Sequence, residues 1–344
     1  MITELHVRNF KSVKAVDLKC SRINVFIGEP NTGKSNILET IALLHLFVDR
    51  YRKFTKSDLS FIFRISQWNQ LFHWRDLSQA ISLDAVVNSE HSIQLKLQYD
   101  ESINWIVVVH GDNEITALHP NDLDYDLALE KDGIVRFGFY RFRKRSVFRS
   151  REDRLVIPPD APNLLEVVRT SGRELVSALS YLFSKYGLEL VLEMPSGSIK
   201  LQHSIGKEDI RIVASLPYSL LSDTLRRMVF NLAIILGNKK MVIALEEPET
   251  HTFPLYVKYL AEKIARDDKG NQYFISTHNP YFLISLLEKA PKKDVNVFIT
   301  SLENYETKVR MLTDEQKEEI LDMGSDVFFN LDKIWEELGL EVEK

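Results

Sequence analysis

The chain has 344 residues, 44% of them hydrophobic and 27% charged, with a formal net charge of −5. This is the composition of a globular protein with one large domain, or two lobes sharing a sheet. It excludes a polycation, so any nucleic-acid surface must be local, and the one cysteine, Cys20, excludes a disulfide framework or a cysteine metal site.

No apolar run approaches the ~20 residues that a membrane helix needs. The longest candidate, 228–236, is interrupted by Asn231. Residues 1–5 lack the basic and long apolar parts of a signal peptide, so a cytoplasmic location without membrane contact is expected.

In chain order, residues 2–7 and 15–18 alternate as strands do, and 23–27 (I-N-V-F-I) form an apolar run. That run leads into 28–35, G-E-P-N-T-G-K-S, a complete phosphate-binding loop of the form G-x-x-x-x-G-K-[ST]. A helical stripe follows, with Ile37, Leu38, Ile41, Leu44 and Phe47 or Val48. Strand, glycine loop and helix together argue against a chance match. In such a loop the glycines let backbone N–H groups curl around phosphate oxygens, and the helix N-terminus adds positive dipole. Lys34 is expected to reach the β- and γ-phosphates, and the Ser35 hydroxyl to ligate Mg²⁺.

Residues 81–109 are expected to be strands, and 110–215 to be mixed. A helix is expected over 164–186, with short strands at 188–192, 199–203 and 210–213. A helix over 224–236 precedes a buried strand at 241–245. That strand runs into Glu246-Glu247-Pro248-Glu249, an apolar strand ending in acids as in a Walker B motif. Glu246 would hold Mg²⁺ through water, and Glu247 would polarise the attacking water. The alternative is a surface acid cluster after a core strand.

A helix opened by Pro254 and a strand at 273–276 come next. This strand repeats the geometry, with a polar tip, Thr277-His278-Asn279, and a helix opened by Pro280. His278 would sit at the strand end near the γ-phosphate. Its alternative role is that of an ordinary surface or core histidine. A hairpin across 303–306 and a helical end follow, with Thr313 and Gln316 spaced as a capping box. There is no repeat and no long heptad run, so no extended coiled-coil arm is expected.

These motifs resemble the ABC-type ATPase heads of the SMC and RecF class, nearest to stand-alone members related to the overcoming-lysogenisation-defect ATPases. The resemblance rests on N-F-K-S at 9–12, the loop Gly28, Glu29, Pro30, Asn31, Thr32, Gly33, Lys34, Ser35 and Asn36, E-E-P-E-T-H-T-F-P at 246–254, and S-T-H-N-P at 276–280. It covers residues 1–50 and 215–330. It implies an α/β P-loop NTPase fold of ABC-ATPase head type, with a mixed central sheet, a β-rich N-terminal lobe and an inserted α+β lobe. The expected divisions are 1–109 with Walker A, 110–237 with the signature loop, and 238–344 with Walker B and the switch histidine. The expected catalytic pair is Glu247 and His278, the metal ligands are Ser35 and Glu246, and the cofactors are ATP and Mg²⁺.

The family also implies a signature loop before the Walker B strand. The candidate is Leu221-Ser222-Asp223-Thr224, with Ser222 and Asp223 as its nucleotide contacts and Thr224 where glycine is usual. Arg226 and Arg227 in the first turn oppose the helix dipole, which suits an arriving anion such as a second subunit's γ-phosphate. The alternative is that Ser222 or Asp223 simply caps the helix. Gln67, Gln70 and Gln79 are open candidates for the Q-loop. The 66 residues after His278 carry no D-x-D pattern, so no Toprim nuclease is expected.

Residues 135–154 hold eight basic side chains against two acidic ones, with aromatics interleaved. Arg141, Arg143, Lys144, Arg145, Arg149 and Arg151 would track a phosphate backbone while Phe137, Phe139, Tyr140, Phe142 and Phe148 stack on bases. The alternative is an ordinary strand with its aromatics inward, or a surface for an acidic partner.

The resemblance therefore implies a Mg-dependent ATPase that forms a homodimer on binding ATP and acts in DNA-associated repair, recombination or mobile-element defence. The competing reading is a nucleotide-gated interaction switch for a separate protein effector, without DNA binding.

Overall fold

The computed structural model describes residues 1–49, 54–88, 91–111, 113–122, 135–145, 147–148, 155–193, 198–205 and 212–342. In chain order the elements are β1 (Ile2–Phe10), β2 (Val13–Lys19), β3 (Ile23–Gly28), α1 (Lys34–Leu44), α2 (Lys56–Phe63), β4 (Ile81–Val87), β5 (His91–Asp100), β6 (Trp105–His110), β7 (Asn113–Leu118) and β8 (Arg136–Tyr140). Then come α3 (Leu164–Thr170), α4 (Arg173–Ser184), β9 (Glu189–Glu193), β10 (Ser198–Ile205), β11 (Ile212–Pro217) and α5 (Asp223–Gly237). The rest are β12 (Met241–Glu246), α6 (Pro254–Ala265), β13 (Gln272–Ser276), α7 (Pro280–Lys289), β14 (Val295–Glu303), β15 (Glu306–Met311), α8 (Asp314–Met323) and α9 (Leu331–Val342).

The chain divides into two compact units. The first comprises Met1–Phe139, Lys240–Glu247 and Asn271–Lys344. It holds an antiparallel sheet in the order β2-β1-β4-β5-β6-β7 and a mixed sheet in the order β15-β14-β3-β13-β12-β8. In the mixed sheet β14, β3, β13 and β12 run parallel, and β15 is antiparallel. Strands β3 and β13 are buried along their whole length. That explains why they read as continuous apolar runs rather than alternating ones.

Helix α1 packs on β3, β12 and β13. It is buried nearly all round, at Ile37, Leu38, Ile41, Leu43 and Leu44 among others. One apolar cluster joins α1 to inward residues of both sheets, including Leu5, Val7, Leu83, Leu97 and Phe274. Phe26 stacks on Phe298, with ring centroids 5.0 Å apart. The buried Gln272 side chain ties the two sheets together. It accepts from the Ile2 N–H at 2.8 Å and donates to the Ile2 and Ser21 carbonyls at 2.7 and 2.8 Å.

The second unit comprises Tyr140–Lys239 and Pro248–Gly270. Helix α5 packs against α3, α4 and α6. A three-stranded antiparallel sheet has the order β11-β10-β9.

Two expectations needed correction. The single helix expected over 164–186 is two helices, because Ser171 and Gly172 take extended backbone (ψ 156° and 172°). Side chains finish the first helix: Thr170 Oγ1 donates to the Glu166 carbonyl at 2.8 Å, and Ser171 Oγ to the Val168 carbonyl at 3.1 Å. This is how hydroxyl residues compete with helix backbone. Of the strand expected at 210–213, residues 210 and 211 lie outside the described residues, and 212–213 open β11, which continues to Pro217. Helix α2 was not anticipated, although its Thr55/Asp58 capping box is a sequence signal. Among the described residues no helix is long and apolar enough to cross a membrane.

Candidate functional site

Strand β3 ends at Gly28, and α1 begins at Lys34, so the expected phosphate loop is a tight strand-to-helix turn. Two positions can only be glycine. Gly33 has φ +93°, and a Cβ there would lie 1.9 Å from Thr307 Oγ1. Gly28 has φ +145°, and its Cβ would lie 2.4 Å from the Thr300 carbonyl oxygen. The loop is thus pressed against β14 and β15. Thr32 Oγ1 donates to the Glu29 carbonyl at 2.8 Å and lies 2.6 Å from Thr300 Oγ1. Asn31 also takes a left-handed conformation, with φ 65°.

Lys34 is buried. Its Nζ donates to the Gly28 carbonyl at 2.8 Å and the Glu29 carbonyl at 2.6 Å, and lies 3.3 Å from Thr32 Oγ1. Burial pushes its pKa down to about 8, against the opposing influence of the Glu247 and Glu29 carboxylates. Helix α1 has no side-chain N-cap and no acid in its first turn. Its first N–H groups therefore present an anion site. Asn36 Nδ2 donates to Ser12 Oγ at 2.7 Å, and Ser12 Oγ lies 2.6 Å from Thr307 Oγ1.

The parallel register brings the other groups to the same edge. Glu246 pairs with Ser276 across β12 and β13, and Ser276 with Phe26 across β13 and β3. Glu246 is ion-paired with Arg64, whose guanidinium also lies 3.9 Å from the fully buried Glu39 carboxylate. Lys11 is salt-bridged to Glu39 as well. Glu247 has φ 43°, and its N–H donates to the Ser276 carbonyl at 3.0 Å. That turn aims its carboxylate at His278, with Oε1 3.4 Å from Nε2. Burial lowers the His278 pKa, helped by the Lys34 charge and opposed by Glu247. The neutral imidazole is therefore favoured near pH 7.

A cavity of about 710 Å³ is lined by Lys34, Ser35, Glu246, Glu247 and His278. Pro30, Asn31, Gly33 and Asn36 line it too. Its size suits a nucleotide. The residues fit a Mg-nucleotide: a glycine cradle, a buried lysine held at the loop by the Gly28 and Glu29 carbonyls, a hydroxyl at Ser35 and a carboxylate at Glu246. Mg²⁺ needs only one or two protein oxygens beside phosphate and water. Of the Q-loop candidates, Gln70 lines the cavity. Its side-chain oxygen accepts from the Ser66 and Gln67 N–H groups at 2.7 and 3.3 Å.

Ser222 and Asp223 lie in the second unit. There Ser222 is the N-cap of α5, its Oγ accepting from the Leu225 N–H at 3.3 Å. Asp223 accepts from Arg226 Nη2 at 2.5 Å and is bridged to Lys144 Nζ at 3.0 Å. Arg227 lies over the Phe142 ring, 4.6 Å from its centroid. The structure thus gives Ser222 the capping role weighed above, and an internal carboxylate offsets Arg226.

The basic stretch is used differently from the base-stacking expectation. Phe137, Phe139, Tyr140 and Phe148 are buried and cannot stack on bases. Phe142 meets Phe230 edge-on at 5.6 Å. Arg145 donates to the buried Asp160 carboxylate at 2.9 Å, and Arg143 lies 3.5 Å from it. The alternating strand weighed above is not what forms: β8 is buried at 137–140 without alternation, and the basic residues 141–145 follow it outside any strand. Arg141 donates its backbone N–H to the Pro159 carbonyl at 3.0 Å. Arg149 and Arg151 lie outside the described residues.

Sequence reasoning missed Arg64, Trp74 and Tyr305 at this cavity, and Thr300 and Thr307 packed behind its loop. None carries a motif; only the hairpin expected across 303–306 hinted that a turn stood there.

A family model described as an AAA ATPase domain matches residues 1–166. A comparison with curated proteins returned no match. Among solved structures, the chain is similar to an Smc head bound to the C-winged helix domain of ScpA, at 14% identity over 92% of this chain and 99% of that one, with a TM-score of 0.55. It is similar to the Smc head domain with an extended coiled coil bound to the C-terminal domain of ScpA, from Pyrococcus furiosus, at 12% identity over 93% and 98%, with a TM-score of 0.53. The recombination mediator protein RecF with ATP aligns at 14% identity over 91% and 99%, with a TM-score of 0.45. The chain therefore has the α/β fold of an SMC-type ABC-ATPase head, with a region matching an AAA ATPase domain at its start.

Proposed function

We propose that this protein binds and hydrolyses ATP with Mg²⁺ at the phosphate-loop cavity, and that two copies pair when ATP is bound. One observation carries the reading. Lys34 is buried against the Gly28 and Glu29 carbonyls, behind a loop whose two glycines admit no side chain. A buried ammonium at a helix N-terminus is costly unless an anion is its working partner.

In this reading Lys34 and the loop N–H groups hold the β- and γ-phosphates. Ser35 and Glu246 hold Mg²⁺, which neutralises phosphate charge. Glu247 orients and deprotonates the attacking water. His278, neutral near pH 7, donates a hydrogen bond toward the γ-phosphate. Arg64 is ion-paired with Glu246 and would give up that pair for Glu246 to serve as a ligand. Ser222 and Asp223 are the surface proposed to meet the partner copy's nucleotide.

The output is proposed to pass through a protein partner. The solved Smc heads carry ScpA domains. The Arg143, Lys144 and Arg145 charges are already paired with Asp160 and Asp223 here. DNA association in repair, recombination or defence is the second reading, resting on the eight basic side chains that residues 135–154 hold. Calorimetry with ATP and Mg²⁺ tests the core proposal. Equal affinity in wild type and Lys34→Ala would overturn it. Affinity capture with and without ATP, split by nuclease treatment, separates the two outputs.

A further inference from the structure

The same cavity is lined by Trp74 and Tyr305. Both rings stand open to solvent, at 68% and 70% exposure. They meet edge-to-face, with centroids 5.5 Å apart and planes at 80°. An edge-to-face contact occupies one face of one ring only, so ring faces of this exposed pair are left for a third ring.

Each ring is held beside the phosphate loop by backbone hydrogen bonds. The Lys11 N–H donates to the Leu71 carbonyl at 2.8 Å, and His73 Nδ1 lies 2.6 Å from the Lys11 carbonyl, which fixes the turn bearing Trp74. The Thr307 N–H donates to the Ser12 carbonyl at 2.8 Å, which fixes the hairpin bearing Tyr305. Ser12 in turn is bonded to Asn36 of α1.

The backbone is strained where the rings stand. Tyr305 (φ 63°) and Asn304 (φ 50°) form a two-residue turn between β14 and β15 with both residues left-handed. Such turns strongly prefer Asn-Gly. A tyrosine replaces the favoured glycine. Trp74 is left-handed as well, at φ 54°. Local preference is given up twice to place two large aromatics at one mouth of one cavity, a pattern found at ligand clamps.

We propose that Trp74 and Tyr305 form the base-binding end of this cavity and take a purine ring of the nucleotide whose phosphates lie on Lys34. The proposal rests on the nucleotide reading above. The pair selects by ring area, so purines are held more firmly than pyrimidines.

The test measures affinities of the full chain, with Mg²⁺, for ATP, UTP and inorganic tripolyphosphate. The variants are Trp74→Ala, Tyr305→Gly, the double variant, Trp74→Phe with Tyr305→Phe, and Lys34→Ala. Each single change should weaken ATP roughly 5- to 10-fold, and the double change about 100-fold, within the range of base–aromatic stacking. Tripolyphosphate affinity should not change, and the preference for ATP over UTP should vanish. The phenylalanine pair should bind ATP nearly as wild type does. Tyr305→Gly should melt no lower than wild type, because glycine suits the turn. ATP affinity unchanged in the double variant, or lost equally with tripolyphosphate, overturns the proposal. If ATP binding still depends on Lys34 in that case, the nucleotide reading survives. If wild type binds neither ATP nor tripolyphosphate, both fall.

Discussion

The depressed pKa of Lys34 makes ATP binding a proton-linked event. Burial places this ammonium at about 8 in the nucleotide-free protein. A triphosphate beside it favours the charged form and returns its pKa to about 10.5 or above. At pH 7 about nine-tenths of the free protein already carries the proton, but at pH 9 only about one-tenth does. Binding at pH 9 must therefore take up about 0.9 proton per site, against about 0.1 at pH 7. Affinity should fall as pH rises through 8, to roughly tenfold weaker at pH 9 than at pH 7. Calorimetry at pH 7–9.5, in buffers of different ionisation heat, reads both quantities. Lys34→Arg, charged throughout this range, should lose the pH dependence even where its geometry weakens binding. An ATP affinity independent of pH, with no proton uptake in wild type, would refute the reasoning. The linkage to folding has the opposite sign. The native-state pKa lies below the unfolded value, so the unfolded chain binds more protons between them. The nucleotide-free protein should gain stability as pH rises from about 8 to about 10.5, by up to about 3 kcal/mol.

Other perturbations follow from the same geometry. Glu247→Gln should bind ATP and hydrolyse it at least ~100-fold more slowly, because an amide cannot take the water's proton; light scattering should then show a stable pair of chains with ATP. Gly33→Ala should abolish nucleotide binding and lower the melting midpoint, since φ +93° and a contact 1.9 Å from Thr307 Oγ1 both reject a methyl group; calorimetry and thermal unfolding report the two effects. Arg64→Ala should lower the Mg²⁺ concentration needed for half-maximal turnover by no more than about fivefold, because a half-exposed guanidinium is screened and holds Glu246 by about 1 kcal/mol or less. Asp160→Ala should destabilise the protein by about 3 kcal/mol in urea unfolding, since it leaves Arg143 and Arg145 without their shared carboxylate. A loss of less than 1 kcal/mol there would refute the buried carboxylate's structural role.

Local chemistry decided what could be read before folding. The phosphate loop was legible because its geometry is set within eight residues by Gly28, Gly33 and the adjoining apolar strand. Strands β12 and β13 were legible because burial on both faces demands unbroken apolar runs, and their polar tips mark where burial ends. Caps at Ser222 and Thr313 are spelled out by three-residue spacings. For the aromatics of the basic stretch the sequence left base stacking and core packing both open, because the same residue types serve either; only tertiary packing put the rings in the core and Asp160 beside Arg145. Arg64 on Glu246, Thr300 and Thr307 behind the loop, and the Trp74–Tyr305 pair join residues that are 182 to 274 positions apart in sequence. No local propensity encodes such neighbours. The contacts of Thr300, Thr307 and Tyr305 follow from β14 lying beside β3 and β15 turning back on it, because sheet register, not sequence distance, fixes which side chains meet the loop.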